Sequence, residues 1–443
     1  MKLSGFPEWL PEQQLIENEF ISIVRNEFEL WGFSPIHTRS VEPLDVLLRK
    51  GETDKEVYGL NRLQGEGEGA SASLGLHFDL TIPFARFVSE NRGQLKFPFK
   101  RYQIQKAWRG ERPQFGRFRE FTQADIDVVA DGPLSLAWDA EMANILLSVM
   151  SKLPIPAVRL CINNRKLLEG FMLGLGITDT AAILRVLDKL DKLARTEIER
   201  QLLELGLSSD QVSKCLQLTS IKSPGTGFRS QVEQLGVQHE LLLSGLDELE
   251  FVMKSVSHWP EGSVLADLHI ARGLDYYTGT VYEGQLKGFE KLGAVCSGGR
   301  YDNLLGDFGK AKMPGIGVSI GVTRILSGIF DAKAVAASRS VPTCVVIVLM
   351  NEESRMETNE IARQLRMRGI SCEVYHEAVK IGKQIDYAAK RGIPFVWFPA
   401  QDGADHQVKD IRSGEQLPAS LQTWLPPQSD AKPTVTIKAD SQN

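Results

Sequence analysis

Apolar residues recur at helical spacing near the start of the chain. Between residues 11 and 32 they fall at every third or fourth position, and the pattern stops at Gly32. Such spacing collects them on one face, so we predict an amphipathic helix that ends where glycine favours a break. The residues of this apolar face are Leu15, Ile16, Phe20, Ile23, Val24, Phe28 and Trp31.

The pattern then changes to short β-like runs. The segments LHFDLTIPF, KFPFKRYQIQKAWR and RFREFTQADIDVV are joined by loops, which predicts an antiparallel sheet. From about 165 to 260 helical spacing returns, with Thr178 or Asp179 as a cap and Gly206 as an end, and we interpret this region as a helical insertion. Strand character resumes at SVLADLHIARGLDYYTGTVYEG and at GIGVSIGV, which leads into a further helix.

The last quarter of the chain is organised differently. Residues 331–341 are small and polar, which predicts a linker after a first domain of residues 1–330. Between 342 and 422 strand-like and helical runs alternate, as is typical of a compact α/β domain. Residues 423–443 are poor in apolar side chains, so we expect a disordered tail.

Composition narrows the class of protein without identifying it. Hydrophobic residues make up 42% and charged residues 24% of the chain, as in soluble globular proteins, and no run of 18 apolar residues is present. The first residues resemble neither a secretory signal nor a transit peptide. Five scattered cysteines without CxxC spacing favour a reducing compartment over a disulfide framework or a cysteine zinc site. We therefore expect a cytoplasmic protein with no membrane partner.

One short segment is far more basic than the rest. AWRGERPQFGRFREF carries four arginines within eleven residues, whereas the whole chain has a formal net charge of −5. Because side chains alternate along a strand, the two strands that flank this loop each have one polar and one apolar face. The polar faces carry Gln103, Gln105, Arg109, Arg119, Phe121, Gln123, Asp125 and Asp127.

These residue types favour a phosphate ligand. The planar guanidinium group of arginine matches phosphate oxygens in a bidentate manner, and Phe121 between the arginines offers a stacking surface for a base. A nucleoside triphosphate is therefore preferred over nucleic acid alone, and a charged hairpin in water is the alternative. For GIGVSIGV the competing interpretation is a dinucleotide fingerprint, but Gly315, Gly317 and Gly321 give GxGxxxG spacing in place of GxGxxG.

The basic segment belongs to a longer series of matches. Residues 101–128 resemble motif 2 of the class II aminoacyl-tRNA synthetases, in the form found in histidyl-tRNA synthetases. ARGLDYYTGTVYE, at 271–283, is similar to the histidine signature of that family, and SGGRYDNLL, at 297–305, to the segment that follows it. GIGVSIGVTRI, at 315–325, resembles motif 3, and HFDLTIPFARF resembles the amino-acid-binding strand. These five matches follow the family's order and span almost the whole chain.

The resemblance implies both a fold and an activity. The fold is α+β, with a six-stranded antiparallel sheet flanked by helices, a helical insertion that would contact the tRNA acceptor arm, and a C-terminal α/β domain of the anticodon-binding type. The activity is the activation of L-histidine by ATP and its transfer to the terminal ribose of tRNA(His). Mg²⁺ would arrive with the ATP, with no protein ligand assigned. The first helix and the strand after it resemble motif 1, which implies a homodimer.

The same resemblance assigns three arginines to catalysis. Arg109 and Arg272 would hold the α-phosphate from opposite sides, and Arg324, in the first turn of a helix, would meet the terminal phosphate. A buried ion pair with Asp275 is the alternative for Arg272. The remaining ATP-binding residues would be Glu111 at the adenine end, Phe121 stacked on the base, and Arg119.

The amino-acid pocket follows from the same matches. Asp79 and Thr81 share parity on the predicted strand, so both can point into a pocket, where the carboxylate would hold the α-ammonium group. A carboxylate and a phenol can bracket the two imidazole nitrogens, although core packing is the alternative for the tyrosines. Such a site can reject analogues by roughly 10,000-fold without an editing domain. The substrate-binding set is Asp79, Leu80, Thr81, Arg109, Gln123, Asp127, Arg272, Tyr276 and Tyr277.

Other features qualify this assignment. His77 stands where many relatives carry arginine, two residues before Asp79. The alternative function is that of a non-catalytic, synthetase-like regulatory subunit of ATP phosphoribosyltransferase, which the retained arginines and the extra C-terminal domain disfavour. In that C-terminal domain the candidate phosphate contacts, which could equally be solvated surface, are Lys380, Lys383, Lys390 and Arg391.

Overall fold

The computed structural model describes residues 3–48, 56–62, 72–190, 192–271, 276–303, 308, 312–401 and 404–438. Arg272 and Asp275 lie outside these described residues. The chain divides into two compact units, one formed by Met1–Pro7 with Ile21–Gly328 and the other by Glu8–Phe20 with Ile329–Asn443. Within the described part, no helix has both the length and the apolar character needed to cross a membrane.

Helices and strands follow one another along the whole described chain. The helices are α1 (Pro11–Leu30), α2 (Leu44–Leu47), α3 (Thr81–Asn91), α4 (Ala137–Lys152), α5 (Arg165–Gly174), α6 (Thr180–Leu187), α7 (Arg195–Glu204), α8 (Ser209–Thr219), α9 (Phe228–Glu233), α10 (Glu240–Ser255), α11 (Val322–Asp331), α12 (Arg355–Met367), α13 (Ile381–Arg391) and α14 (Gln428–Ala431). The strands are β1 (Ser34–Pro35), β2 (Val41–Pro43), β3 (Tyr58–Leu60), β4 (Leu74–Leu76), β5 (Phe99–Trp108), β6 (Glu120–Val129), β7 (Val158–Asn164), β8 (Lys222–Ser223), β9 (Val264–Asp267), β10 (Thr280–Leu286), β11 (Ala294–Tyr301), β12 (Gly315–Gly321), β13 (Val335–Ala337), β14 (Val345–Ile347), β15 (Cys372–Val374), β16 (Phe395–Phe398), β17 (Gln407–Asp410), β18 (Gln416–Pro418) and β19 (Val435–Ile437).

A large mixed sheet forms the centre of the first unit. Its order is β1-β5-β6-β12-β11-β10-β7-β9-β8. The six strands from β5 to β7 in that order are joined to one another by antiparallel pairings only. The predicted six-stranded sheet is therefore its core, but the count is wrong because three short strands extend the edges, two of them in parallel pairings. Two of the added strands, β1 and β8, are two residues long, too short for alternation to reveal them.

The segment around Asp79 corrects a second prediction. We predicted that Asp79 and Thr81 share a strand, but β4 ends at Leu76 and α3 begins at Thr81. The Asp79 carboxylate accepts a hydrogen bond from the backbone N–H of Ile82 at 3.0 Å, which satisfies a donor of the first helical turn. Pro83 lies in that same turn, where a missing N–H is tolerated. The strand-like composition of this segment concealed these helix-start signals.

The predicted helical insertion consists of short packed helices. Asp179 caps α6 by accepting from the N–H of Ala182, and α7 ends before Gly206, whose φ of +90° suits glycine. Gly170 and Gly245 allow α5 and α10 to pack closely. A methyl group on Gly170 would lie 2.1 Å from the backbone nitrogen of Leu242, and one on Gly245 would lie 2.2 Å from that of Leu167.

The second unit contains a five-stranded sheet in the order β15-β14-β16-β17-β18. The first three strands of that order are parallel and the last two pairings are antiparallel. Helices α12 and α13 supply its connections, and the buried core includes Val345, Ile347, Leu365, Phe395 and Trp397. This arrangement matches the α/β alternation predicted for the region.

The segments expected to be a linker and a disordered tail pair with each other. Strand β13 lies within the predicted linker, and it is antiparallel to β19, with Val335 opposite Ile437. Asp430 receives two hydrogen bonds from Arg412 at 2.8 and 2.9 Å, and its carbonyl oxygen accepts one from the buried Arg339 at 2.8 Å. The tail prediction is therefore wrong for residues 428–437, since polar composition alone does not reveal a partner about 100 residues away.

Candidate active site

The polar face of the β5–β6 hairpin is buried. In the register of these strands Arg101 lies opposite Asp127, and Gln103 lies opposite Asp125. Arg101 and Gln103 have no exposed surface, and the two aspartates are no more than 5% exposed. Groups of this kind remain inside a protein only when they are paired or serve a ligand, so this part of the hairpin is not a solvated surface.

Arg109 directly follows the first strand of the hairpin and is fixed from two sides. Its Nε donates to the carbonyl oxygen of Phe78 at 3.0 Å, and its guanidinium carbon lies 5.1 Å from the centre of the Phe121 ring. Its backbone N–H donates to the carbonyl of Arg119 at 2.9 Å, which keeps the hairpin paired up to the loop. The guanidinium group is thus held in place, while its other N–H groups make no hydrogen bond to the described residues and can serve a ligand.

Arg324 reaches the same place from α11, as its third residue. Its Nε donates to the carbonyl of Gly116 at 3.0 Å and its Nη1 to the carbonyl of Ala294 at 2.5 Å. Gly116 has a φ of +72°, and a methyl group there would lie 2.9 Å from the side chain of Leu292. Both conditions favour glycine at the point where the arginine-rich loop meets Arg324.

A cleft lies between these arginines and joins three strands of the sheet. It brings together five of the residues predicted to bind ATP or substrate, namely Arg109, Glu111, Phe121, Gln123 and Arg324. Arg119 is not among its lining residues, and its Nε donates to the carbonyl of Glu111 at 3.3 Å. The full lining is Arg109, Glu111, Gly116, Arg117, Phe118, Phe121, Thr122, Gln123, Ala294, Val295, Cys296, Ser297, Ser319, Gly321 and Arg324.

Asp127 lies further along the same face of β6, four residues beyond Gln123. Its Oδ2 is 2.5 Å from Nη2 of Arg101, and its Oδ1 accepts a hydrogen bond from the Tyr301 hydroxyl at 2.8 Å. A methyl group on Gly317 of the neighbouring strand would lie 1.9 Å from that Oδ1. The carboxylate therefore occupies the space that the missing side chain of Gly317 leaves open.

The two predicted tyrosines stand beside this carboxylate. The Tyr276 ring stacks on that of Tyr301 at 5.0 Å between centres and meets the Tyr277 ring edge-on at 5.3 Å. Burial, together with the negative charge of Asp127, raises the pKa of both phenols above the ordinary value. Both hydroxyls therefore keep their protons at neutral pH, and both rings also pack against the hydrophobic cluster that contains Tyr301.

Three of the residues predicted to bind the amino acid lie at the start of α3. The negative charge of Asp79 contributes to the raised pKa of Asp125, Tyr276 and Tyr277, after burial and the charges of other groups. Leu80 is fully buried, and Thr81 begins the helix. Asp79 and Leu80 thus directly precede α3 and Thr81 is its first residue, and none of the three is among the residues that line the cleft.

His77, at a position where the family resemblance led us to expect arginine, has a defined structural role. The fully buried ring places Nε2 2.7 Å from the carbonyl oxygen of Lys106 and Nδ1 3.3 Å from that of Arg39. The backbone carbonyl of His77 accepts from the N–H of Trp108 at 3.0 Å. These contacts attach the segment before α3 to the strand that carries Arg109.

Four residues of this site received no role in the sequence analysis. Arg101 and Tyr301 hold Asp127, and Asp125 and Ser319 lie next to Gln123. The parity of β6 placed Asp125 on the polar face, but the cross-strand partners that make it part of the site are not visible in one strand. In the described ranges, no three His, Cys, Asp or Glu side chains are grouped as a metal site would require.

Comparison with known families shows which family the chain belongs to. A family model described as histidyl-tRNA synthetase matches residues 5–325, well over half of the chain. The chain belongs to the histidyl-tRNA synthetase family. A second model, described as an anticodon binding domain, matches residues 343–422 of this synthetase.

Individual relatives agree with this assignment. Histidine–tRNA ligase of Thermobifida fusca is 51% identical over 425 residues, covering 95% of this chain and 97% of that protein. Histidine–tRNA ligase of Cutibacterium acnes is 51% identical over 445 residues, with 98% of each chain covered. The crystal structure of histidyl-tRNA synthetase from Nostoc sp. PCC 7120 superposes with a TM-score of 0.86 at 35% identity, covering 95% of this chain and 96% of that one.

Proposed function

We propose that this synthetase is a histidine–tRNA ligase that activates L-histidine with ATP and transfers it to tRNA(His). The observation that supports this most directly is that Arg109, Arg324 and Gln123 line one cleft, and that Gln123 shares a face of β6 with the buried Asp127. A cationic end suits a triphosphate, and a hydrogen-bonding end suits a small polar amino acid.

The chemistry requires positioning rather than an enzyme nucleophile. A carboxylate oxygen of histidine attacks the α-phosphorus of ATP, the bond to the β-phosphate oxygen breaks, and pyrophosphate leaves. A hydroxyl of the terminal ribose of the tRNA then attacks the carbonyl carbon of the adenylate and loses its proton, and AMP leaves. Fixed cations that face the negative charge developing at phosphorus lower this barrier without forming a covalent intermediate.

Within this proposal Arg109 binds the α-phosphate and Arg324 the terminal phosphate. Phe121, whose ring already lies against the Arg109 guanidinium, stacks on adenine, and Glu111 contacts the adenine end. Arg272 is proposed to act opposite Arg109 from the family resemblance alone. Arg119 contributes to ATP binding through the loop backbone that it supports. Mg²⁺ is carried on the triphosphate, where it would neutralise phosphate charge.

Histidine binding is assigned to the buried polar face of β6 beyond Gln123, which itself lines the cleft. The Asp79 carboxylate is proposed to hold the α-ammonium group, with Leu80 and Thr81 shaping the helix start behind it. Gln123 and Asp127 contribute acceptors from β6. The neutral phenol groups of Tyr276 and Tyr277, kept protonated by burial, can donate to an imidazole nitrogen.

The C-terminal unit is proposed to bind the anticodon region of the tRNA. Lys380 precedes α13 and Lys383 lies in its first turn, where both can approach phosphate groups. Lys390 is paired with Asp386 at 2.7 Å, and the Arg391 guanidinium lies 4.4 Å from the Tyr387 ring centre, so their positive charges are already partly engaged. We further propose that the protein works in the cytoplasm as a homodimer, as the motif 1 resemblance implies.

Histidine-dependent ATP–pyrophosphate exchange tests the proposal. Exchange that needs histidine, followed by charging of tRNA(His), is the expected result. A non-catalytic regulatory subunit of ATP phosphoribosyltransferase would bind histidine without exchange, so absence of exchange in a folded preparation would favour that alternative. The presence of Arg109, Arg324 and Gln123 in one cleft supports the enzymatic function over the regulatory one.

A further inference from the structure

A hydroxyl group on β12 lies between two polar side chains of β6. Ser319 is opposite Asp125 in the register of these strands. Its Oγ accepts a hydrogen bond from Nε2 of Gln123 at 2.8 Å, and its side chain also hydrogen-bonds the Asp125 carboxyl group. Gln123 and Ser319 both line the cleft, whereas Asp125 is buried behind them.

Counting protons fixes the direction of this chain of hydrogen bonds. An ionised carboxylate can only accept, so the single Ser319 proton goes to Asp125. The Ser319 oxygen must then accept from the glutamine, which turns the amide nitrogen toward Ser319. The amide oxygen, Oε1 of Gln123, consequently faces the other way, and it is buried with no hydrogen-bond partner among the described residues. Such an acceptor is expected to receive a hydrogen bond from a ligand.

We propose that Asp125 and Ser319 are positioning residues that orient the Gln123 amide so that its oxygen, and not its NH₂ group, faces the histidine substrate. The proposal rests on the proposed function. Histidine brings N–H donors to this site, namely the α-ammonium group and a protonated ring nitrogen. A reversed amide would place the NH₂ group of Gln123 against an N–H group of histidine. The orientation of the Gln123 side chain therefore affects the affinity for histidine.

The charge state of Asp125 controls this orientation. Burial raises the pKa of Asp125 to about 7, with Asp127 and Asp79 acting in the same direction and Arg101 and the Ser319 hydrogen bond opposing them. A protonated Asp125 can donate to Ser319, which frees the Ser319 proton to point at the glutamine and permits the reversed amide. The productive orientation is therefore enforced above neutral pH and relaxed below it.

Removing the hydroxyl is the first test. In pyrophosphate exchange, Ser319→Ala is expected to raise KM for histidine about tenfold, from the loss of one buried hydrogen bond and its orienting effect, with little change in KM for ATP. Ser319→Thr, which keeps the hydroxyl, is expected to recover most of the histidine affinity. Ser148→Ala is the matched control, because it also removes a serine hydrogen bond to a carboxylate, that of Glu27, at a residue that does not line the cleft. Equal effects of the two alanine variants would overturn the proposal.

The second test varies the pH and compares two enzymes, so that titration of the substrate histidine affects both KM values equally. The ratio of KM for histidine in Asp125→Asn to that of the unsubstituted enzyme is expected to be largest above pH 8. It should fall toward one as the pH decreases through 7, because a protonated aspartate resembles asparagine. A ratio independent of pH would overturn the role of the carboxylate. An altered KM without a lowered thermal unfolding midpoint separates positioning from loss of structure.

An analogue identifies which donor the glutamine meets. Imidazolepropionate, which lacks the α-ammonium group, is used as a competitive inhibitor of exchange. If Ser319→Ala weakens histidine but not this analogue, the amide oxygen faces the ammonium group, and if it weakens both, the oxygen faces the ring. An effect on neither would contradict the proposal. Exchange that is absent in the unsubstituted enzyme would instead refute the proposed function.

Discussion

Gly317→Ala places a methyl group directly against the proposed histidine pocket. Gly317 lies opposite Asp127 in the register of β12 and β6, and a Cβ atom there would be 1.9 Å from the Asp127 Oδ1 and 3.0 Å from the carbonyl oxygen of Ile126. Gly317 is not among the glycines with positive φ, so alanine is compatible with its backbone. The substitution therefore tests space alone.

The size of the effect follows from what Asp127 must give up. An ordinary contact needs about 3.4 Å, so Oδ1 has to move by about 1.5 Å from its present 1.9 Å approach. Such a shift breaks the 2.8 Å hydrogen bond from Tyr301 and disturbs the 2.5 Å ion pair with Arg101. Breaking a buried pair typically costs about 3–5 kcal/mol, and a misplacement of about 1 Å in a binding site can reduce a rate by about 100-fold.

The assay combines histidine-dependent exchange with thermal unfolding. We expect kcat/KM for histidine to fall at least about 100-fold in Gly317→Ala, with a lower unfolding midpoint. Gly321→Ala is the matched control for stability, because it lies on the same strand and its methyl group would meet its nearest atoms at 3.4 and 3.5 Å. Its unfolding midpoint should stay close to that of the parent. Exchange and stability of Gly317→Ala near the parent values would refute the assignment of Asp127.

Three further predictions use other parts of the chain. Arg109→Ala should reduce exchange by about 100- to 1000-fold through loss of a fixed cation, which exchange kinetics at saturating histidine would measure. Removal of residues 427–443 should destabilise the C-terminal unit by about 2 kcal/mol, because the buried Arg339 loses the Asp430 carbonyl; an unchanged unfolding midpoint would contradict this. The folded-state pKa of Asp125, about 7, exceeds the ordinary 3.8, so its ionisation lowers stability as pH rises from about 4 to 7. Asp125→Asn should therefore stabilise the protein by up to about 4 kcal/mol at pH 8 and not at pH 4, as unfolding midpoints at the two pH values would show.

Much of the site could be predicted from sequence because its chemistry is carried by unusual local composition. The concentration of arginines around Arg109 and the parity of β6 identified a polar face, and the ordered series of motifs brought in Arg324 from more than 200 residues away. The structure places Arg109, Gln123 and Arg324 in the lining of one cleft, and their roles in binding stay predictions. Arg272 stays a prediction, since it lies outside the described residues.

The remaining features depend on contacts between distant segments. Ser319 acquires its role from Asp125 on another strand, and only the register of β6 and β12 reveals that the two are neighbours. Asp79 is a local exception: it was assigned to a strand because aromatic and β-branched residues surround it, whereas it directly precedes α3 and accepts a hydrogen bond from the N–H of Ile82. The pairing of β13 with β19 was missed because three-residue strands carry too little local signal.

The central claim is that the arginine-lined cleft and the adjoining polar pocket together activate one amino acid. Pyrophosphate exchange of the purified full-length protein, measured separately with each of the twenty amino acids, tests it most directly. The account predicts exchange with histidine alone, and its loss in Arg109→Ala. Exchange supported by a different amino acid, or histidine-dependent exchange that persists at the parent rate in Arg109→Ala, would contradict the account.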